Sequence, residues 1–442
     1  MLLRWRSVDK REDAALHRDV KWRNQLLALF CLAAFAALGV LYFQQWVVQK
    51  PFAIILFVGE GLAPRQLAPA RMFVGGADAR LALDSMPHLA LLMNASKDFA
   101  VPDQAAAATA LATGVKVNNG SLGVDENGQA LITSLELARQ RGRATGLVTD
   151  SRLTSPVCAA FFSHDHDVAN TEKIAFDLTE GHKIDIVMGG GAADFLPASK
   201  GGRRKDNRDL LLELRSDGYD IMRTRSELEN IPAWQRAHLF GAFADDEFAF
   251  PDQLQQASEQ PTLADMVRRA IELLQYNSRG YLLVVDAGLM RKAAEQNNAE
   301  RMLRAIAELD RAVATARRYA GARSTIVVCG DVAIGGMSIN GMPFRRDNGI
   351  ALLGLNARGE PWITWATGPS GMATSRAPAL PAENSQPLQG GHAPQDEPAA
   401  FYLNDALNTA EDVLAIGSGS GTETLQSVTD NTTVFRLIRD NL

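Results

Sequence analysis

The chain has 442 residues, of which 46% are hydrophobic and 22% charged, with a net charge of −6. It is long enough to bury a large core, is too apolar to be disordered, and has no basic excess to recruit nucleic acid. Three cysteines in this length exclude a disulfide framework, and Cys31, Cys158 and Cys329 all read as packed thiols in apolar surroundings.

Residues 1–25 carry Arg4, Arg6, Lys10, Arg11, Arg18, Lys21 and Arg23 against four acids. Residues 26–48 follow without a charge, with Tyr42 and Trp46 towards the far end, a pattern that suits a membrane-spanning helix with interfacial aromatics. The basic flank predicts a cytoplasmic N-terminus, an inner-membrane single pass, and a main domain of residues 49–442 on the opposite, periplasmic or extracytoplasmic side. A cleaved signal peptide is the alternative, but no Ala-x-Ala site follows the apolar run, which favours an uncleaved anchor.

Beyond residue 50, apolar runs alternate with amphipathic periods. Residues 52–58, 144–149, 184–188, 281–285 and 325–329 read as buried strands, and 132–141, 207–216, 262–275 and 292–319 as helices. The alternation predicts an α/β fold, a doubly wound, largely parallel sheet sandwiched by helices and preceded by one transmembrane helix. In such sheets the site lies at the carboxyl ends of the strands, where Glu60, Asp150, Asp286 and Asp331 all fall. Residues 201–208 read as a solvated basic turn and 371–398 as a long Pro- and Gly-rich excursion.

Residues 101–120 read as a turn, a short alanine-rich helix capped by Asp103, and a Gly-punctuated exit. This stretch resembles the nucleophile loop of alkaline phosphatases, Asp-Ser-Ala-Ala-x-Ala-Thr-Ala-x-x-Thr-Gly-Val-Lys. The resemblance extends over about residues 51 to 440 through several ordered motifs. They are Gly59-Glu60-Gly61, the 146–161 segment, Met188-Gly189-Gly190-Gly191, the 282–295 segment, the 324–339 segment, and Gly391-His392-Ala393-Pro394-Gln395-Asp396. It implies the alkaline phosphatase fold.

What the resemblance implies about chemistry points elsewhere. The family's attacking serine is replaced by Gln104, whose carboxamide cannot become an alkoxide. A hydroxyl that helps hold magnesium falls at Val157, and the phosphate-clamping arginine at Val168. A zinc aspartate falls at Arg291, and two zinc histidines fall at Glu295 and Val332. A guanidinium has no lone pair to offer an ion. Glu60, Asp286, Asp331 and His392 keep ligand-type side chains as a remnant metal set. His164 and His166, beside Asp165 and Asp167, read as a polar surface turn rather than a metal cluster.

The expectation is a membrane-anchored pseudophosphatase with a binding or scaffolding role, an unidentified protein partner, and a homodimer as the family's habit. No cofactor is expected, with Arg291 and Lys292 serving as the counter-charge of the carboxylates. The alternative is a metal-dependent phosphate monoester hydrolase with a rebuilt site. That reading calls for a single Mg²⁺ or Ca²⁺ on the oxygen ligands, or residual zinc.

Overall fold

The computed structural model describes residues 10–42, 52–180, 184–232, 238–254, 258–340, 353, 361–371 and 397–442. The chain divides into two units, residues 1–50 and 51–442.

In the first unit, α1 (Lys10–Tyr42) is one continuous helix of 33 residues. Its Lys21–Leu41 portion is long and apolar enough to cross a membrane. Leu26, Phe30, Leu32 and Phe35 are all exposed along it, a surface that hydrocarbon covers at far less cost than water does. Two expectations change here. The helix starts within the basic segment rather than at residue 26, because Lys and Arg are good helix formers. Cys31 is exposed rather than packed, since it shares this outward-facing apolar surface.

The second unit opens with β1 (Ala53–Gly61), α2 (Leu67–Gly75), β2 (His88–Met93), α3 (Gln104–Thr113), α4 (Ser134–Gln140) and β3 (Ala144–Arg152). The chain continues through α5 (Pro156–Ala159), α6 (Thr171–Thr179), β4 (Ile186–Gly190), α7 (Leu210–Ser216), β5 (Asp220–Met222), α8 (Arg225–Asn230) and β6 (Leu239–Ala242). Next come α9 (Leu263–Leu274), β7 (Tyr281–Ala287), α10 (Leu289–Glu295), α11 (Ala299–Tyr319), β8 (Ser324–Ile334) and β9 (Ser338–Ile339). The last elements are β10 (Ile363–Gly368), β11 (Ala399–Tyr402), β12 (Asn408–Thr409), β13 (Val413–Ser418), β14 (Val428–Asp430) and α12 (Thr433–Asn441).

The main sheet runs β14-β2-β13-β8-β1-β7-β3-β4-β6-β5, with β12 also on β8, while β9, β10 and β11 form a small separate sheet. Its centre is parallel: β1 pairs with β7 and β8, and β3 with β7 and β4. β13 is antiparallel to its neighbours β8 and β2. Every residue of β1 and β7 is buried, as expected for central strands covered on both faces. Ile55 and Phe57 face one core with α9, α10 and α11, and Ile54, Leu56 and Val58 face the other with α3, α4 and α5.

The fold class and the five sequence-read strands are observed, with shifts of a few residues at their ends. The expected single helix over 292–319 is instead α10 and α11. Asn297 breaks it at φ 52°, a left-handed conformation asparagine tolerates, and the Asn298 side chain caps α11 by accepting from the Arg301 N–H at 2.9 Å. The basic 201–208 segment is not simply solvated. Arg204 is buried, bonded to Asp206 and the Glu172 carbonyl, and Arg203 pairs with Asp194 at 2.9 Å. Most of the 371–398 excursion lies outside the described residues.

Leu309 of α11 packs beneath β1 at Gly59, where an added Cβ would lie 3.1 Å from its Cδ2. Leu309→Ala should cost about 2–5 kcal/mol of stability by opening a cavity under the central strand, read as a lower urea midpoint at unchanged m-value.

Candidate functional site

The pairing register brings the acids of the sequence analysis together. Val58 lies opposite Asp286 on β7 and opposite Cys329 on β8, so Glu60, Asp286 and Asp331 end three neighbouring parallel strands on one edge. The β1–β8 register shifts between Gly59 and Gly61, an irregularity centred on Glu60. Such a bulge re-aims one side chain, and here it serves the acid at the strand end. All three carboxylates are buried.

Each has a partial set of partners. Asp286 Oδ2 accepts from the Thr149 hydroxyl at 2.7 Å, and Asp331 Oδ1 from the Gly61 N–H at 2.9 Å. Asp150, on β3, accepts from the Leu289 N–H at the head of α10 at 3.0 Å. Glu60 Oε1, Asp286 Oδ1 and Asp331 Oδ2 have no partner among the described residues.

The compensating charge comes from α10. Arg291 Nε lies 2.7 Å from Glu60 Oε2, its Nη2 2.7 Å from Glu247 Oε1, and its Nη1 2.9 Å from Glu295 Oε2. Lys292 Nζ reaches the other Glu247 oxygen at 3.0 Å. Only 17% of the Arg291 side chain is exposed. Its planar fork therefore serves three carboxylates from one buried position, which an ammonium could not do.

Two glycines permit this closeness. A Cβ on Gly288 would fall 2.5 Å from Ser151 Cβ and 3.1 Å from Glu60 Oε1, and one on Gly190 would fall 2.3 Å from the Asp246 carbonyl. The second lets the Asp245-Asp246-Glu247 loop fold against β4 and deliver Glu247. The sequence analysis missed Glu247. Its signal, an acid just beyond a strand, is blurred by two neighbouring aspartates that look equally solvated.

Burial, with Glu60 nearby, pushes Asp331 up to about 7. Burial pushes Asp150 to about 7 as well, against the Leu289 N–H. Asp286 is raised well above the usual carboxylate range by burial and by Glu60, against the Thr149 hydroxyl. For Glu247, Arg291 and Lys292 overcome burial and hold the group below its ordinary value, whereas burial wins at Glu295 and raises it. Arg291 is held more firmly protonated than a free arginine, since its three glutamates outweigh its desolvation.

The other singled-out residues are apolar or turned to other work. Val157 and Val332 are fully buried among hydrophobic neighbours, and Val168 packs at the margin of the same core as Val157. Gln104 is the first residue of α3, and its Nε2 donates to Asn408 Oδ1 at 3.3 Å. Asp103 caps that helix by accepting from the Ala106 N–H at 2.8 Å, and its second oxygen takes the Gly120 N–H at 2.6 Å. His164 sits between the Gly123 carbonyl at 2.8 Å and Glu136 at 3.1 Å. His392 lies outside the described residues.

Residues 52–442 match the family model described as alkaline phosphatase. The chain belongs to the alkaline phosphatase family. Alkaline phosphatase 4 of Bacillus subtilis is 34% identical over 249 residues, 55% of this chain and 51% of that protein. The membrane-bound alkaline phosphatase of Bombyx mori is 30% identical over 311 residues, 60% of this chain and 56% of its own. These matches span about half the length of either relative. The structure of Thermus thermophilus alkaline phosphatase superposes with a TM-score of 0.70 at 24% identity, covering 89% of this chain and 92% of that one. At this identity the likeness is one of fold.

The metals that the family implies do not fit the residues present. Arg291 puts a fixed cation against Glu60 and Glu295, Val157 and Val332 have no donor atom, and among the described residues no three His, Cys, Asp or Glu side chains form an ion-holding group.

The raised carboxyls give a pH signature. The folded chain keeps protons on Asp150 and Asp331 that the unfolded chain releases near its ordinary aspartate values. Their contribution is therefore complete below those values and is lost as pH rises through about 7. The urea midpoint should fall between about pH 5 and about pH 8, and Asp331→Asn should flatten that slope.

Proposed function

We propose that this chain is a catalytically silent member of the alkaline phosphatase family, held to a membrane by α1 and acting as a binding or scaffolding subunit. Its basic N-terminal flank favours a cytoplasmic N-terminus and a domain on the outer side of the inner membrane. The observation that carries the reading is the Arg291 guanidinium 2.7 Å from Glu60 and 2.9 Å from Glu295. Two-metal phosphoryl chemistry needs a cation that can coordinate an oxygen of the ester and lower the pKa of a nucleophile. A guanidinium can stabilise charge through its N–H groups but cannot coordinate an oxygen as a metal ion does.

Gln104 adds a further argument. Its amide heads α3, where a nucleophile would gain from the helix N-terminus, but its N–H is too weak an acid to ionise and donates to Asn408 instead. Its partner in the cell is a protein or a second copy of the chain.

The second reading, a hydrolase of phosphate monoesters with a rebuilt site around one hard ion, draws on the unpartnered oxygens of Glu60, Asp286 and Asp331. It also has the names of the relatives on its side. The two readings separate in one assay. The full chain in detergent, supplied with zinc and magnesium, should not hydrolyse a phosphate monoester above the buffer rate, and Gln104→Ser alone should not restore turnover. Wild-type turnover abolished by Asp331→Ala would establish the hydrolase.

A further inference from the structure

The electrostatics of the strand-end cluster carry an inference about what holds this half of the fold together. Glu60, Asp286 and Asp331 are buried, and one oxygen of each is without a partner among the described residues. Glu247 and Glu295 close the group from the loop after β6 and from α10. Five carboxyls in one low-dielectric pocket repel one another and cannot remain ionised together without a cation among them.

We infer that the Arg291 guanidinium is a tethered replacement for a metal cation, so that the folded chain needs no metal and its removal opens a divalent-cation site on the same carboxylates. The inference rests on the functional reading above and specifies how the site came to be quiet. Three features support it.

The first is convergence. Nε, Nη1 and Nη2 each take a different glutamate, at distances between 2.7 and 3.0 Å, as an ion would draw its ligands from separate elements. The second is permanence, because arginine stays protonated through the whole working pH range and cannot dissociate from its own backbone. The third is the donor chemistry. With the guanidinium removed, what it leaves is carboxylate oxygen, Glu60 Oε2, Glu247 Oε1 and both oxygens of Glu295, while Lys292 stays on the far oxygen of Glu247. An all-oxygen set prefers a hard ion such as Mg²⁺, Mn²⁺ or Ca²⁺ over zinc.

The test compares the wild-type full chain in detergent with Arg291→Ala and Arg291→Lys, each with chelator or with Ca²⁺ or Mn²⁺. Metal content after gel filtration and melting temperature are read in each case. The wild type should hold far less than one ion per chain and melt at the same temperature in every buffer. Arg291→Ala should melt roughly 5 °C or more lower in chelator, regain part of that with the cation, and retain about one ion per chain. Arg291→Lys keeps a positive charge in place and should stay indifferent to cations.

A wild type that carries stoichiometric metal, or that loses stability to chelator, would overturn the inference. So would a folded Arg291→Ala that ignores cations. If Arg291→Ala is recovered only when purified with the cation, that outcome supports the inference; if it is recovered in neither buffer, the wild-type measurement decides alone. The result is independent of the hydrolysis assay. Ester turnover by a metal-free wild type would defeat the functional reading and leave the guanidinium in its role.

Discussion

Three acids buried at the ends of adjacent parallel strands must be neutralised, by a proton or by a neighbouring positive charge, and which of the two each takes governs the site. Ionised carboxylates in a water-poor interior repel at energies that a protein of ordinary stability cannot bear. Here the load is divided. Burial raises Asp150, Asp286 and Asp331, so that they hold their protons to higher pH than a free aspartate, and the guanidinium of Arg291 takes Glu60, Glu247 and Glu295. The bulge at Glu60, the bare Cα of Gly288 and the close packing of the acidic loop on Gly190 all serve this arrangement. They are backbone features that bring the charges close.

The α3 loop shows the same separation of fold from chemistry. Asp103 keeps both its structural tasks, capping the helix and tying down Gly120, and the alanines keep the helix close enough to pack on β8 and α5. Only the side chain next to the cap differs in kind. Gln104 has a hydrogen-bond partner in Asn408, which in turn donates to the Pro102 carbonyl at 2.9 Å, so the loop is closed on itself by amides.

Much of this was legible in the sequence because it depends on short-range pattern. Runs such as Ile54-Ile55-Leu56-Phe57-Val58 and Leu282-Leu283-Val284-Val285 are strands by composition alone, and an acid just past each of them marks the edge where a parallel sheet gathers its site. That Arg291 would face those acids followed from the resemblance, which sets it where the family has a zinc aspartate. Glu247 did not follow, because its approach depends on how a loop of three acids folds over Gly190, a contact with no local signal. The break at Asn297 was hidden by helical periodicity continuing on both sides of it, and the burial of Arg204 by a glycine-rich basic stretch that looks like any solvated turn. Cys31 went the other way: its apolar neighbours in sequence belong to a helix long and apolar enough to cross a membrane, on which the thiol is exposed.

The account stands on one position in space, the guanidinium among the glutamates at the end of β1. A crystal structure of the chain grown with zinc and magnesium, with diffraction recorded on both sides of the zinc absorption edge, tests it directly. The account predicts continuous density from the Arg291 side chain to Glu60, Glu247 and Glu295, and no anomalous peak among Glu60, Asp286 and Asp331. A zinc peak there, with Arg291 swung out towards solvent, would contradict it.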